Sequence, residues 1–338
     1  MQDFNIAVIG AGYWGRKHVD ELSKSTVARL SAVADPSEAS RKFCEEKYGV
    51  ATFADYREML ADQKISAVSI CTNNELHFQV AKDALEAGKH VLVEKPLTTD
   101  AITSQQLISI AKGRGLVLCV GHLFRFNNAV MKLRQLFREG FFGKPYFMKI
   151  EWTNHNGPVP GRSILMDLGP HAFDIPHFIT GWWPKKSIYF GSHFRRGELE
   201  ETTFLESDFG NGFYMYGELS WLVPGKKRQV LIAGEKGYAW ADCASQKALA
   251  QEVKIPSGPL CGAQKQAAAK KPSDGELANL AGMLGEPYDL GVKPNNALAE
   301  ELESFVLDCK GKGARESENS GEIGLRALEA LLACRKAR

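Results

Sequence analysis

Asn5-Ile-Ala-Val-Ile-Gly10-Ala-Gly12-Tyr13-Trp14-Gly15 is the stretch that decides the fold. A continuously apolar run passes into a glycine-rich turn and then into an amphipathic segment, Trp14 to Ser23, so the order is strand, turn, helix. Asp35 stands twenty residues beyond Gly15, at the end of the next apolar run, Leu30 to Ala34. In that setting G-x-G-x-x-G is a dinucleotide-binding fingerprint. Gly10 permits a tight turn, Gly12 lets a pyrophosphate approach the backbone, and Gly15 lets helix and strand pack closely. The helix N-terminus presents unpaired N–H groups to the phosphates. Asp35 is placed to accept hydrogen bonds from the adenosine ribose, and its charge repels a 2′-phosphate. Pro36 and Ser37 bring no cation, and Arg41 lies a helical turn or more away, so NAD is expected over NADP. Asp35 is also a candidate cap for the following helix.

Outward from this turn the pattern repeats. Ala67 to Cys71, His90 to Val93 and Val117 to Val120 are apolar runs rich in Val, suited to strands buried on both faces of a parallel sheet. Helical patterns at Ser37 to Tyr48, His77 to Glu86 and Ala101 to Lys112 alternate with them, which defines βαβ units and a doubly wound sheet. After residue 122 the rhythm changes. Asn128 to Gly140 reads as a helix, Tyr146 to Trp152 as a strand and Asn154 to Gly161 as a loop. Ser187 to Phe194, Thr202 to Phe209, Gly212 to Trp221, Gln229 to Ala233 and Gly237 to Ala241 then read as strands, with hairpin turns at Phe209-Gly-Asn-Gly212 and Gly234-Glu-Lys-Gly237. The second half is therefore expected to be a mostly antiparallel, open-faced sheet with helices on one side. In Gly212 to Trp221 one face carries Phe213, Met215, Leu219 and Trp221 and the other Tyr214 and Tyr216, which points to helices on one face and another subunit on the other. Residues 244–296 read as a long loop, and Ala297 to Cys309 and Gly321 to Arg338 as helices returning to the first domain. The expected domains are residues 1–122 and 123–338.

Composition excludes several classes. The 338 residues exceed one ordinary domain of about 100–200 residues. Forty-two basic against 40 acidic residues leave a net charge of +2, which argues for no nucleic-acid partner and no anionic membrane surface. The one basic run, Lys226 to Arg228, reads as a solvated hairpin. Seven scattered cysteines without a C-x-x-C pair suit a reducing cytoplasm and oppose a disulfide framework or zinc knuckle, so no metal site is expected. The chain opens on Met-Gln-Asp-Phe without a secretory signal pattern, and no apolar stretch approaches the roughly 20 residues of a membrane helix.

Glu94-Lys95-Pro96 follows the run His90 to Val93, and ligands of open α/β sheets bind outside the carboxyl ends of the strands. From Ala67-Val-Ser-Ile-Cys-Thr-Asn-Asn-Glu-Leu-His77 through Ala84-Leu-Glu-Ala-Gly-Lys-His-Val-Leu-Val-Glu-Lys-Pro96, the chain closely resembles the glucose-fructose oxidoreductase, inositol dehydrogenase and rhizopine catabolism family of NAD(P)-dependent sugar oxidoreductases. The resemblance extends through Gly121-His122, Asp167-Leu-Gly-Pro-His171-Ala-Phe-Asp174 and Gly321-Glu-Ile-Gly-Leu-Arg-Ala-Leu-Glu-Ala330. It implies a Rossmann domain followed by an open-faced sheet, with homodimers or homotetramers forming through that sheet. It also implies a catalytic group of Lys95, Asp167 and His171, and a cofactor site that includes Tyr13, Trp14, Thr72, Asn73, Asn74, His77, Glu94, Lys95 and His122 beside the glycines and Asp35. Asn73 departs from the proline common in the family. Asp167 and His171 are four residues apart, with Pro170 read as the first residue of a helix.

The segments Gly121 to Val130, Glu151 to Asn154 and Leu168 to Asp174 look most like the branch that oxidises the 3-hydroxyl of UDP-N-acetylglucosamine-type sugars. On that resemblance Arg125 is a candidate for the diphosphate or a carboxylate, with Asn127, Asn154, Arg162 and His171 as further substrate contacts. The rival enzyme reading is a dehydrogenase of a free polyol or sugar such as myo-inositol or glucose. A non-catalytic NAD-binding regulator has no reason to keep Lys95, Asp167 and His171 together.

Overall fold

The computed structural model describes residues 4–157, 162–195, 199–253, 284–313 and 319–337. The chain divides into two compact units, Met1–Phe126 with Asn296–Ala333, and Asn127–Asn295 with Cys334–Arg338.

The first unit runs β1 (Asn5–Ile9), α1 (Tyr13–Ser23), β2 (Arg29–Ala34), α2 (Glu38–Tyr48), β3 (Ala51–Phe53), α3 (Tyr56–Leu60), β4 (Ile65–Ile70), α4 (Asn74–Glu86), β5 (His90–Glu94), α5 (Ala101–Arg114), β6 (Leu118–Gly121) and a 3-10 turn, Leu123–Phe126. Its six parallel strands are ordered β3-β2-β1-β4-β5-β6, so the strand order reverses beside β1, where doubly wound folds bind nucleotides. Apolar side chains alternate between two cores. Ala7, Ile9, Val68, Ile70 and Val93 pack on one face, and Ile6, Val8, Ala67 and Leu92 on the other. The short β3 and α3 escape the sequence reading because three and five residues are too few to show a period.

The second unit contains α6 (Asn128–Arg138), β7 (Pro145–His155), α7 (Ile164–Thr180), β8 (Lys186–Ser192), β9 (Thr202–Asp208), β10 (Tyr214–Ser220), β11 (Leu222–Gly234), β12 (Gly237–Asp242), β13 (Lys247–Glu252) and β14 (Tyr288–Asp289). Nine strands are ordered β14-β13-β12-β11-β7-β10-β9-β8-β15, the last being Arg335–Lys336. Pairing is mostly antiparallel, but β7 with β10 and β8 with β15 run parallel. On β10, Met215 and Leu219 are fully buried while Tyr214 and Tyr216 are exposed, the alternation of a sheet covered on one face.

Two sequence expectations change here. Part of residues 244–296 is strand, because Lys-Ala-Leu-Ala-Gln-Glu pairs along β12 and buries Ala248 and Ala250 despite its helical composition; residues 254–283 of that stretch lie outside the described residues. Lys226 to Arg228 belongs to β11 and is not a hairpin, although Lys226 and Lys227 are exposed: Lys227 bonds Glu151 at 2.7 Å and Arg228 donates to the Thr153 carbonyl at 2.9 Å.

The chain then supplies α8 (Ala297–Cys309) and α9 (Gly321–Leu332) to the first unit. Leu302, Phe305 and Val306 of α8 complete the core around Ile6 and Val8. The α9 backbone lies so close to the sheet that a Cβ at Gly324 would stand 2.4 Å from the Val120 side chain. The helical pattern expected to continue to residue 338 stops at Leu332.

Candidate active site

The glycine turn in the first unit has the stereochemistry its fingerprint requires. Gly10 has a φ of +91°, the left-handed region where a side chain is strained, and a Cβ there would stand 2.8 Å from the Cys71 carbonyl oxygen. A Cβ on Gly15 would lie 1.8 Å from the Gly10 oxygen. Gly12, by contrast, has open space where a Cβ would be. It caps α1 without a side-chain bond, and the first turn carries no acid, so no side chain of the helix start itself opposes an anion at the backbone donors. These features fit a dinucleotide pyrophosphate.

Asp35 lies at the end of β2, where its Oδ2 accepts from the Ala11 N–H at 2.6 Å and its Oδ1 from the Ser37 N–H at 2.8 Å. The cap of α2 is Ser37, whose hydroxyl accepts from Ser40. Arg41 is nearer than its position in the sequence suggests. Its long side chain turns back along α2, and Nη1 donates to the Asp35 and Pro36 carbonyls at 2.8 and 2.9 Å. Tyr13 and Trp14 are exposed at the helix start, with the Lys17 ammonium 4.5 Å from each ring.

The carboxyl ends of β4 and β5 hold most of the remaining cofactor candidates. Asn73 caps α4 with φ −67°, a backbone that a proline also adopts, so the family's turn is compatible with this departure. Asn74 and His122 are buried. His77 is fully buried between two carbonyls, with Nδ1 2.8 Å from the Pro96 oxygen and Nε2 3.2 Å from the Thr72 oxygen. Glu94 accepts the Lys95 N–H at 3.2 Å and pairs with His18 at 3.1 Å. Lys95 itself is half-buried, and its peptide to Pro96 is cis. His77 and Glu94 thus grip the turn that carries Lys95 from both sides.

His18 was not among the sequence candidates. A signal was available: it occupies the buried stripe Gly15, His18, Val19, Leu22 of α1, where a polar side chain needs partners. Burial opposes its charge, but Cys71 and Glu94 raise its pKa well above the ordinary imidazole value. Burial likewise works against ionised Glu94, yet His18, Lys95 and His77 hold its pKa below the ordinary carboxylate value. The raised His18 therefore adds stability below about pH 6.5 that is lost as pH climbs through its folded value, while Glu94 adds stability that is lost as pH falls through its lowered one. The difference in Tm between the native chain and His18→Gln is expected to narrow as pH rises from about 7 into the alkaline range. A difference that does not change with pH contradicts the assignment.

In the second unit, α7 starts at Ile164 with Ser163 as its cap, so Pro170 lies inside the helix and is not its first residue. The serine hydroxyl, which accepts from the Met166 N–H, fixes the earlier start. Asp167 occupies the first turn and His171 the next, one above the other. Asp167 is partly exposed and stands 3.5 Å from Arg162. His171 is 8% exposed, and Asp174 is buried. Asn154, at the end of β7, accepts from Arg228 Nη2 at 3.0 Å. Burial lowers the Arg228 pKa and the Asp167 carboxylate acts against it, so Asn154, Arg162, Asp167 and Arg228 form one polar group. Arg228 was missed because its neighbours in sequence suggested a turn.

Two candidates are engaged in the fold. Asn127 donates from Nδ2 to the Cys243 carbonyl at 2.9 Å and caps α6 through Oδ1, so both ends of its amide serve the second unit. Arg125, in the first unit, is buried. Lys95 also belongs to the first unit, and Asp167 and His171 to the second. Among the described residues no helix is long and apolar enough to cross a membrane.

A reversed-order parallel sheet, a glycine cradle and an acid at the end of β2 define a Rossmann-fold nucleotide-binding protein. Residues 4–122 match the oxidoreductase family with an NAD-binding Rossmann fold, and residues 130–240 match the GFO/IDH/MocA C-terminal domain. The chain belongs to this GFO/IDH/MocA oxidoreductase family. It is 34% identical over 188 residues to a UDP-N-acetylglucosamine 3-dehydrogenase of Acidithiobacillus ferrooxidans, covering 54% of this chain and 56% of that protein. It is 30% identical to a myo-inositol 2-dehydrogenase of Thermotoga maritima over 52% of this chain and 54% of the relative. These alignments span little more than half of either relative. A solved structure of the Acidithiobacillus ferrooxidans UDP-N-acetylglucosamine 3-dehydrogenase superposes with a TM-score of 0.81 at 25% identity, covering 99% of this chain and 97% of that one.

Proposed function

We propose that the chain is an NAD-dependent dehydrogenase that oxidises a secondary alcohol of a sugar, the 3-hydroxyl of a UDP-N-acetylglucosamine-type nucleotide sugar. The observation that carries this reading is the structural likeness to such a dehydrogenase over nearly the whole length of both chains. The myo-inositol 2-dehydrogenase relative favours the second reading, a cyclitol or free-sugar substrate.

Gly10, Gly12 and Gly15 would hold the cofactor's pyrophosphate and Asp35 its adenosine ribose. NAD, when bound, supplies the hydride acceptor. His171 serves as base for the hydroxyl proton, taking it on an imidazole nitrogen. Lys95 orients the hydroxyl and stabilises the negative charge that develops on its oxygen. Asp167 favours the resulting imidazolium by its charge. Lys95 and His171 can exchange these roles without changing the set.

Asp35 favours NAD, whereas the proximity of Arg41 offers a 2′-phosphate one cation. Asp35 is expected to dominate, because its carboxylate is fixed at the glycine turn while Arg41 is already bonded to carbonyls. The test compares kcat/KM for NAD and NADP while UDP-sugars, free sugars and cyclitols are offered and reduced nicotinamide absorbance is followed. A higher value with NADP overturns the cofactor assignment, and turnover confined to cyclitols overturns the substrate. The outward aromatics Phe190, Phe204, Tyr214 and Tyr216 support a homodimer or homotetramer through the sheet, in a reducing cytoplasm that keeps the described cysteines as thiols.

A further inference from the structure

His18 is completely buried on α1, three residues beyond the last glycine of the fingerprint, and it bonds in two directions. Its Nδ1 is 2.8 Å from Ser69 Oγ, which lies 3.8 Å from Cys71 Sγ at the end of β4. Its Nε2 is 3.1 Å from Glu94 Oε1, and the other Glu94 oxygen accepts the Lys95 N–H. The pocket around this carboxylate is fitted to it: a Cβ at Gly121 would stand 3.2 Å from Glu94 Cδ and Oε1. A continuous chain of polar contacts therefore runs from the strand end beneath the glycine turn, through the phosphate-binding helix, to the backbone of Lys95.

We propose that His18 and Glu94 are a positioning pair that ties the phosphate-binding helix to the Lys95 turn and fixes where the Lys95 amine stands. The proposal rests on the reading of Lys95 as a catalytic residue. Neither His18 nor Glu94 needs to touch substrate. Removing either partner takes away the bond at one atom of the other, His18 Nε2 or Glu94 Oε1, while the bonds to Ser69 and to the Lys95 N–H stay, which favours a shift of the turn they share. Seen this way, Glu94 acts through the turn and not as a lining residue of the cofactor site. On the opposite side His77 holds the Pro96 carbonyl, so the turn is bonded at both ends.

The experiment uses the full chain as His18→Gln, Glu94→Gln, the double variant and Lys95→Met. For each it measures Tm, NAD affinity, turnover with UDP-N-acetylglucosamine, and the rate at which Lys95 is acetylated by acetic anhydride, read by peptide mass spectrometry against exposed Lys24 as internal control. Both single variants should change Lys95 labelling by about threefold or more and lower kcat by about tenfold, with NAD affinity within about threefold of the native value. The double variant should be no worse than the more affected single, because the two residues act as one unit. Unchanged Lys95 labelling in folded single variants overturns the proposal, as does a double variant whose losses add. Full turnover in Lys95→Met sinks the catalytic reading instead, and the labelling result still decides whether the pair sets the position of Lys95.

Discussion

Replacing Lys95 by Met or His171 by Ala is expected to lower turnover by roughly two orders of magnitude or more while the chain still binds NAD. The reason lies in where each side chain stands. Lys95 follows the carboxyl end of β5, in a turn whose flanking residues, Glu94 and Pro96, are fixed by His18 and His77. Methionine keeps the length of the side chain and removes only the charge and the donors, so the turn should persist. His171 is one helical turn beyond Asp167 on a helix that is buried along most of its length. Alanine there removes the base without removing a core side chain of the cofactor unit. Tm and NAD affinity close to native, together with lost turnover, identify the two residues as chemical groups. Turnover within a few fold of native in both variants removes them from the mechanism.

Gly15→Ala should produce a large loss of cofactor binding from one methyl group. The added Cβ would lie 1.8 Å from the Gly10 carbonyl oxygen, and neither atom can yield, since one belongs to the helix start and the other to a turn already pinned by a positive φ. Separating them pushes α1 off the sheet at the point where its N-terminus faces the phosphates. Overpacking of this kind costs about 1–3 kcal/mol in stability, and NAD affinity should fall by about tenfold or more, because the displaced helix start no longer meets the pyrophosphate with its N–H groups. Gly12→Ala is the comparison, because open space surrounds that position and only a bound pyrophosphate would meet the methyl group. Equal Tm values for Gly15→Ala and the native chain contradict this packing argument.

The first unit was the more legible in sequence because buried parallel strands read as unbroken apolar runs and its glycines stand at fixed spacing. The geometry of the turn follows from local sterics, which sequence carries directly. In the second unit, strands such as Tyr214–Ser220 were readable from alternation, whereas Lys247–Glu252 was not: its residues favour helix, and pairing with β12 and β14 makes it extended. Side-chain engagement was the least legible property. Asn127 looked available for a ligand and is a helix cap; Arg41 looked remote and turns back to the Asp35 carbonyl; His18 looked incidental and bonds Glu94. Each depends on which groups the fold brings together across many residues, and periodicity holds no record of that.

Hydride transfer from a sugar carbon to NAD is tested most directly with UDP-N-acetylglucosamine carrying deuterium at C3, incubated with the native chain and NAD. The expected product is NADH heavier by one deuterium, formed together with a 3-keto nucleotide sugar. Unlabelled NADH would place the oxidation at another carbon. No reduced cofactor from this substrate, alongside ready reduction by myo-inositol or glucose, would contradict the nucleotide-sugar assignment.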